Sequence, residues 1–114
     1  MNVVRIDCSQ ITDFDTFHDV FATVFGFPDF YGRNMNACID CMTSLDEPND
    51  GLTKVHVAKG EVLTLRLDNV DSMMAADQKL YEALVDDVAF VNYRRMESGD
   101  PPVLALSYYA NPNR

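Results

Sequence analysis

Leu63-Thr64-Leu65-Arg66-Leu67-Asp68 alternates apolar and polar side chains, the period of a β-strand with one face buried. Downstream, Leu80, Tyr81, Leu84, Val88 and Val91 recur on one side of a helix, which predicts a long helix over 75–96. Ser98-Gly99-Asp100-Pro101-Pro102 stops that helix. Val103-Leu104-Ala105-Leu106-Ser107-Tyr108-Tyr109 follows, and its continuous apolar character predicts a central strand covered on both faces. A strand, a helix and a second strand in succession imply parallel pairing.

Upstream, Val55 and Val57 alternate with Lys54 and His56, and Ala58-Lys59-Gly60-Glu61 offers a turn, so a hairpin is expected here. Val3-Val4-Arg5-Ile6-Asp7 reads as the first strand. Thr12 is the candidate N-cap of the next helix, with Asp13 and Asp15 in its first turn. Phe14, Phe17, Phe21, Val24 and Phe25 form its apolar stripe, and Gly26 and Pro28 end it. A second helix is expected over 34–45, with Met35, Cys38, Ile39 and Met42 buried. The whole reads as a small α/β domain, a single unit over 1–114, with a mainly parallel sheet packed with helices.

At about 100° per residue, Asp40 lies roughly 150° from the centre of the second helix's buried stripe. Asn36, Thr43 and Ser44 share that outward side. The exposed face is therefore a polar strip with one charge at its middle. An aromatic loop, Phe27-Pro28-Asp29-Phe30-Tyr31-Gly32, runs into this helix. Phe30 is expected to pack inward, and Tyr31 to stand either in the core or at an edge with its hydroxyl wet.

Charge narrows the partner. Eighteen Asp and Glu oppose nine Lys and Arg among 114 residues, for a net charge of −9. That sign argues against direct nucleic-acid binding, which needs cations against phosphates, and against anionic membranes. It favours fast association with a basic partner, although acidity also serves solubility. No apolar run approaches the roughly 18 residues of a membrane span. Three cysteines and an N-terminus without signal-peptide character point to the cytoplasm.

Other chemistry is weakly marked. Cys38-Ile39-Asp40-Cys41 is formally Cys-x-x-Cys, yet it falls in mid-helix, away from the helix start that would activate a thiol. Core packing is the favoured reading, with a thiol-redox role left as an alternative. His18 and His56 read as surface residues, and no metal or cofactor site is expected. Asp86-Asp87 reads as part of a solvated acidic face.

The run Pro28-Asp29-Phe30-Tyr31-Gly32-Arg33-Asn34-Met35-Asn36-Ala37-Cys38-Ile39-Asp40-Cys41-Met42-Thr43 resembles the signature of the barstar family, the intracellular inhibitors of secreted bacterial ribonucleases. In that family the pattern runs Pro, an acid, two aromatics, Gly, any residue, Asn, an apolar residue, an acid, Ala. It continues with an apolar residue, an aromatic, Asp, Cys, an apolar residue and Thr. The resemblance implies a three-stranded parallel sheet with helices, no enzymatic activity, and an inhibitor that plugs a nuclease active site. A key Asp there replaces a substrate phosphate among the enzyme's Arg, Lys and His groups. By position that residue is Asp40, with Tyr31, Gly32, Asn34, Asn36, Ile39, Thr43 and Ser44 as supporting contacts. The implied partner is a basic ribonuclease or related nuclease toxin, bound by a monomer in a 1:1 complex. A later-helix acid that the family sets against an Arg of its target falls on Asp87 by rough alignment.

The departures are specific. Asn36 stands where the family has a second acid, and Ile39 replaces a large aromatic. Ser44 and Leu45 replace a Gly and an aromatic, and the segment 47–60 is extra. A different cognate nuclease is the expected consequence, and an adaptor for a partner that is not a nuclease stands beside it as the alternative.

Overall fold

Three β-branched or leucine-rich segments become strands: β1 (Val3–Asp7), β2 (Leu63–Asp68) and β3 (Leu104–Tyr109). The computed structural model describes residues 2–109. The strands form a parallel sheet in the order β1-β2-β3, with Val4 opposite Leu65 and Leu65 opposite Leu106. The expectation of a central last strand is thus corrected: β2 is the middle strand and β3 an edge. The alternation in β2 has a direct cause. Val4, Ile6, Leu63, Leu65, Leu67 and Leu104 face the helical layer, while Arg5, Arg66 and Ser107 lie in register on the opposite face. That face is open, so even the middle strand alternates. Ser107, Tyr108 and Tyr109 are exposed, and β3 has no second covering layer. On the open face Arg5 and Arg66 both pair with the buried carboxylate of Asp68, and Arg66 lies 4.1 Å over the Tyr109 ring.

Helix α1 (Phe14–Phe25) starts at Asp13, one residue beyond the expected Thr12 cap. Asp13 accepts from the Thr16 amide at 2.8 Å, and the Thr16 hydroxyl accepts from the Asp13 amide, closing a capping box. Gly26 ends the helix at φ 68°, where an added Cβ would meet the Lys54 side chain at 2.7 Å. Phe17, Phe21 and Phe25 are fully buried and stack at 4.4 and 5.8 Å between ring centroids. Burying each is worth about 1.5–3 kcal/mol. Phe14, at the same helix's first turn, stays partly outside.

Helix α2 (Met35–Thr43) is capped by Asn34, whose side chain accepts from the Ala37 amide at 2.8 Å. Its inward stripe is the expected one, with Cys38, Ile39 and Met42 buried.

The expected single helix over 75–96 is two helices, α3 (Val70–Ala76) and α4 (Gln78–Glu97). Asp77 breaks them. It adopts an extended conformation and caps α4 by accepting from the Lys79 amide. Apolar spacing alone does not register that break, because Leu80 onward keeps the period.

No strand forms over 47–60, so the extra hairpin is absent. The segment instead makes a 3-10 turn (Pro48–Asp50) and lies against the helix ends. Lys54 donates its amide to the Phe25 carbonyl at 2.8 Å, and Val57 to that of Leu45 at 3.1 Å. Among the described residues no helix is long and apolar enough to cross a membrane.

Candidate functional site

The loop before α2 is held by three anchors. Tyr31 turns its ring inward against Phe27 at 4.7 Å, and its hydroxyl lies 2.6 Å from His18 Nδ1. Burial pushes the phenol well above its ordinary pKa and pulls the His18 imidazole below its own, so both are neutral at neutral pH. His18 is therefore a buried partner of the loop and not the surface residue expected. Arg33 is the second anchor. It adopts a left-handed conformation at φ 53°, uncommon for a side chain of its size. Its guanidinium donates to Asp19 at 2.8 Å and to the Asp15 carboxylate and carbonyl at 2.6 and 3.0 Å. Those bonds tie the loop to α1 and offset the backbone strain. Asn34 is the third, donating to the Gly32 carbonyl at 3.3 Å while capping α2.

Phe30 is left on the outside. Its expected burial is overturned: it is 78% exposed. The inward position belongs to Tyr31, which finds a polar partner for its hydroxyl in the core.

Phe30, Tyr31, Gly32, Ala37, Asp40, Cys41 and Leu52 line a recess of about 240 Å³. Tyr31, Gly32 and Asp40, expected to act together, do meet there. Leu52 comes from the 47–60 segment, which thus supplies a wall.

Asp40 is exposed, as helix geometry required, but it is not alone. Arg94 of α4 donates to it at 2.7 Å, with both side chains substantially exposed at 41% and 62%. One residue further, Arg95 is buried. It forms a two-pronged pair with Asp46 at 2.9 and 2.7 Å and donates to the carbonyls of Thr43 and Pro101. This pair holds the Asp46 carboxyl below its ordinary pKa and locks the end of α2 onto α4.

The remaining expected contacts scatter. Asn36 is exposed, and Ser44 is half-buried. The Thr43 hydroxyl donates to the Ile39 carbonyl at 2.6 Å. Ile39 is 8% exposed and belongs to the core, leaving little of it to touch a partner. Asp87 is buried too, which corrects the solvated acidic face and leaves Asp87 unavailable as a surface acid. Its Oδ2 has no hydrogen-bond partner among the described residues. Burial, reinforced by the neighbouring Asp86 charge, pushes its carboxyl up to about 7.

The thiols fare poorly as chemistry. Cys38 and Cys41 are buried, and burial raises both above the ordinary thiol value, opposite to the direction a reactive pair needs. Among the described residues no cluster suited to a metal ion exists.

Three residues escaped sequence reasoning: Arg33, Leu52 and Arg94. Arg33 occupies the position of the pattern that any residue fills. Arg94 lies 54 positions from Asp40, so no local spacing links them.

No curated protein matches the chain. The family model described as "Barstar (barnase inhibitor)" matches residues 1–104, nearly the whole length, and the parallel three-stranded sheet with its four helices agrees with it. The loop, the Asn34-capped helix and the outward Asp40 thus sit in a chain that belongs to the barstar family.

Proposed function

We propose that this protein is a cytoplasmic inhibitor that binds a basic ribonuclease or related nuclease toxin and occludes its active site. The family is one of ribonuclease inhibitors and not of enzymes, which supports this reading at its coarser level. The observation that carries the finer one is Asp40. It is an exposed carboxylate at the lip of a recess, on a rigid helix, in a chain of net charge −9. Aimed at a cationic active site, it takes the place of a substrate phosphate by accepting charge-assisted hydrogen bonds. The surrounding negative field speeds the encounter. Phe30, Gly32, Asn34 and Asn36 are exposed around it and form the contact rim. The chain acts as one domain, as a monomer in a 1:1 complex, in the role of an immunity protein or antitoxin.

The test is direct. Purified protein is mixed with basic ribonucleases from its source organism, and binding and inhibition are measured for wild type and Asp40→Ala. Tight inhibition lost in Asp40→Ala supports the reading. Absence of any nuclease partner, or an unchanged Asp40→Ala, overturns it.

The second reading, an adaptor for a partner that is not a nuclease, draws support from the mixed charge of the face. Asn36 is neutral, Ile39 is buried and Arg94 covers part of Asp40. A pull-down that recovers a non-nuclease and spares every basic ribonuclease favours it.

A further inference from the structure

We propose that the outer edge of β1 is a docking groove for an extended, basic segment of a partner protein, which adds to the sheet as a further strand beside α1. The proposal is independent of the inhibitor reading, because the groove lies between β1 and α1 whereas Asp40 stands on α2 against α4.

The two edges of the sheet are finished differently. At the edge of β3, the Asn92 side chain accepts from the Leu104 amide at 3.1 Å and donates to the Leu104 carbonyl at 2.9 Å, so those outward backbone groups are paired. In a parallel strand, alternate residues direct their N–H and C=O to opposite sides. Thr64 donates its amide to the Asn2 carbonyl at 2.8 Å, so Asn2, Val4 and Ile6 face β2. Val3 and Arg5 therefore turn both backbone groups outward, and no hydrogen bond reaches them among the described residues.

Beside that edge lies an open groove of about 440 Å³, with Arg5 and Asp7 on one wall and Asp19, Val20, Thr23 and Val24 of α1 on the other. Because β2 occupies the inner side of β1, a space shared by β1 and α1 falls on the outer side. A strand edge facing a helix across such a space lets an extended peptide pair with the strand and rest its side chains on the helix. Charged side chains ordinarily guard an open edge. Here they are tied down within the fold: Arg5 pairs with the buried Asp68, and Asp7 accepts from Ser9 and Asn69.

Charge selects the occupant. Val20 and Val24 are half-buried and supply an apolar floor. Among the described residues, Asp7 and Asp19 engage only their Oδ1 atoms, which leaves Oδ2 of each for an incoming cation. A segment that alternates apolar and basic side chains matches both features, and the net charge of −9 draws it in. The same net charge on each of two copies opposes pairing of β1 with its own duplicate.

The probe is the end-blocked peptide Val-Lys-Val-Lys-Val, titrated into the full chain labelled with nitrogen-15 and followed through the amide spectrum. Saturable shifts at Val3, Arg5, Val20 and Thr23 are expected, with slower solvent exchange of the Val3 and Arg5 amides. Methylating alternate peptide nitrogens removes the strand's donors, and replacing lysine with glutamate reverses its charge. Each change is expected to weaken binding by about tenfold or more. Thr23→Lys, an exposed substitution that sets a like charge in the groove, is expected to weaken it several-fold. Absence of saturable binding, shifts centred on Asp40, an unchanged Thr23→Lys, or equal affinity for the methylated or glutamate peptide overturns the proposal. So do shifts at Val3 and Arg5 that grow with protein concentration without peptide, since they make a second copy the occupant. None of these results touches the inhibitor reading, which stands or falls on the nuclease panel and the Asp40→Ala comparison.

Discussion

Arg94 and Arg95 are neighbours on one helix, each paired with an Asp, and they do opposite jobs. Arg95 is 4% exposed and spends every described contact on the fold: Asp46, the Thr43 carbonyl and the Pro101 carbonyl. Arg94 is turned about 100° away by the helix and meets Asp40 at the surface. The same guanidinium and carboxylate chemistry is thus structural in one place and available for exchange in the other. Solvent decides which. A buried pair that loses one member strands a charge in a medium that cannot hydrate it, whereas an exposed pair that opens is met by water on both sides.

The largest expected effect comes from breaking the buried member. Arg95→Ala leaves the buried Asp46 with the more distant, exposed Lys59 at 3.8 Å in place of its two-pronged partner, and is expected to cost about 3–5 kcal/mol of stability, read by urea denaturation. A loss under about 1 kcal/mol would erase the distinction between the two arginines. The pH dependence has a definite sign. The Asp46 carboxyl lies below its ordinary value of 3.8 when folded, so the pair's contribution is present above that pH and is lost as pH falls beneath it.

Next in size is Asp40→Ala. It is expected to weaken binding of the native nuclease by about 2–5 kcal/mol, measured by calorimetry, while leaving the thermal midpoint nearly unchanged. A matching loss of stability would make Asp40 a structural residue like Asp46.

Asp87 offers a third contrast, a buried carboxyl with no cation paired to it among the described residues. Its pKa rises from 3.8 to about 7 on folding, so between those values the folded state holds a proton that the unfolded state has released. Stability therefore falls as pH rises from 4 towards 7, and above 7 the full cost of a buried charge is carried. Asp87→Asn is expected to stabilise the protein on the order of 2 kcal/mol at pH 8 and much less at pH 5. Denaturation curves at the two pH values check this, and equal effects at both would contradict it.

The smallest effect belongs to Arg94→Ala, expected to change stability by less than about 1 kcal/mol. A large loss of stability would move Arg94 into the same class as Arg95.

Local chemistry made much of this molecule legible. The 2-residue period of Leu63–Asp68 gave a strand whose buried face the structure reproduces residue by residue. The stripe Met35, Cys38, Ile39 and Met42 is enough to place Asp40 on the outward side of its helix. Errors gathered where a second element makes the decision. The apolar run after Pro102 looked doubly covered, yet its outer face carries Ala105 and Ser107 at a sheet edge. Phe30 and Tyr31 are adjacent aromatics with similar claims to the core, and the inward place went to the one whose hydroxyl reaches His18. Asp86-Asp87 read as one acidic pair, but the helix sends Asp87 inward and leaves Asp86 exposed.

The sequence by itself determined the strands, the amphipathic faces, the acidic field and the outward carboxylate, because these follow from side-chain period and charge within a few residues. Only the tertiary structure decided that Asp40 has a cation beside it, that Asp87 is buried, and that the middle strand is β2. Each of those depends on which distant segment packs alongside, and packing partners separated by 54 residues leave no periodic trace in the chain between them.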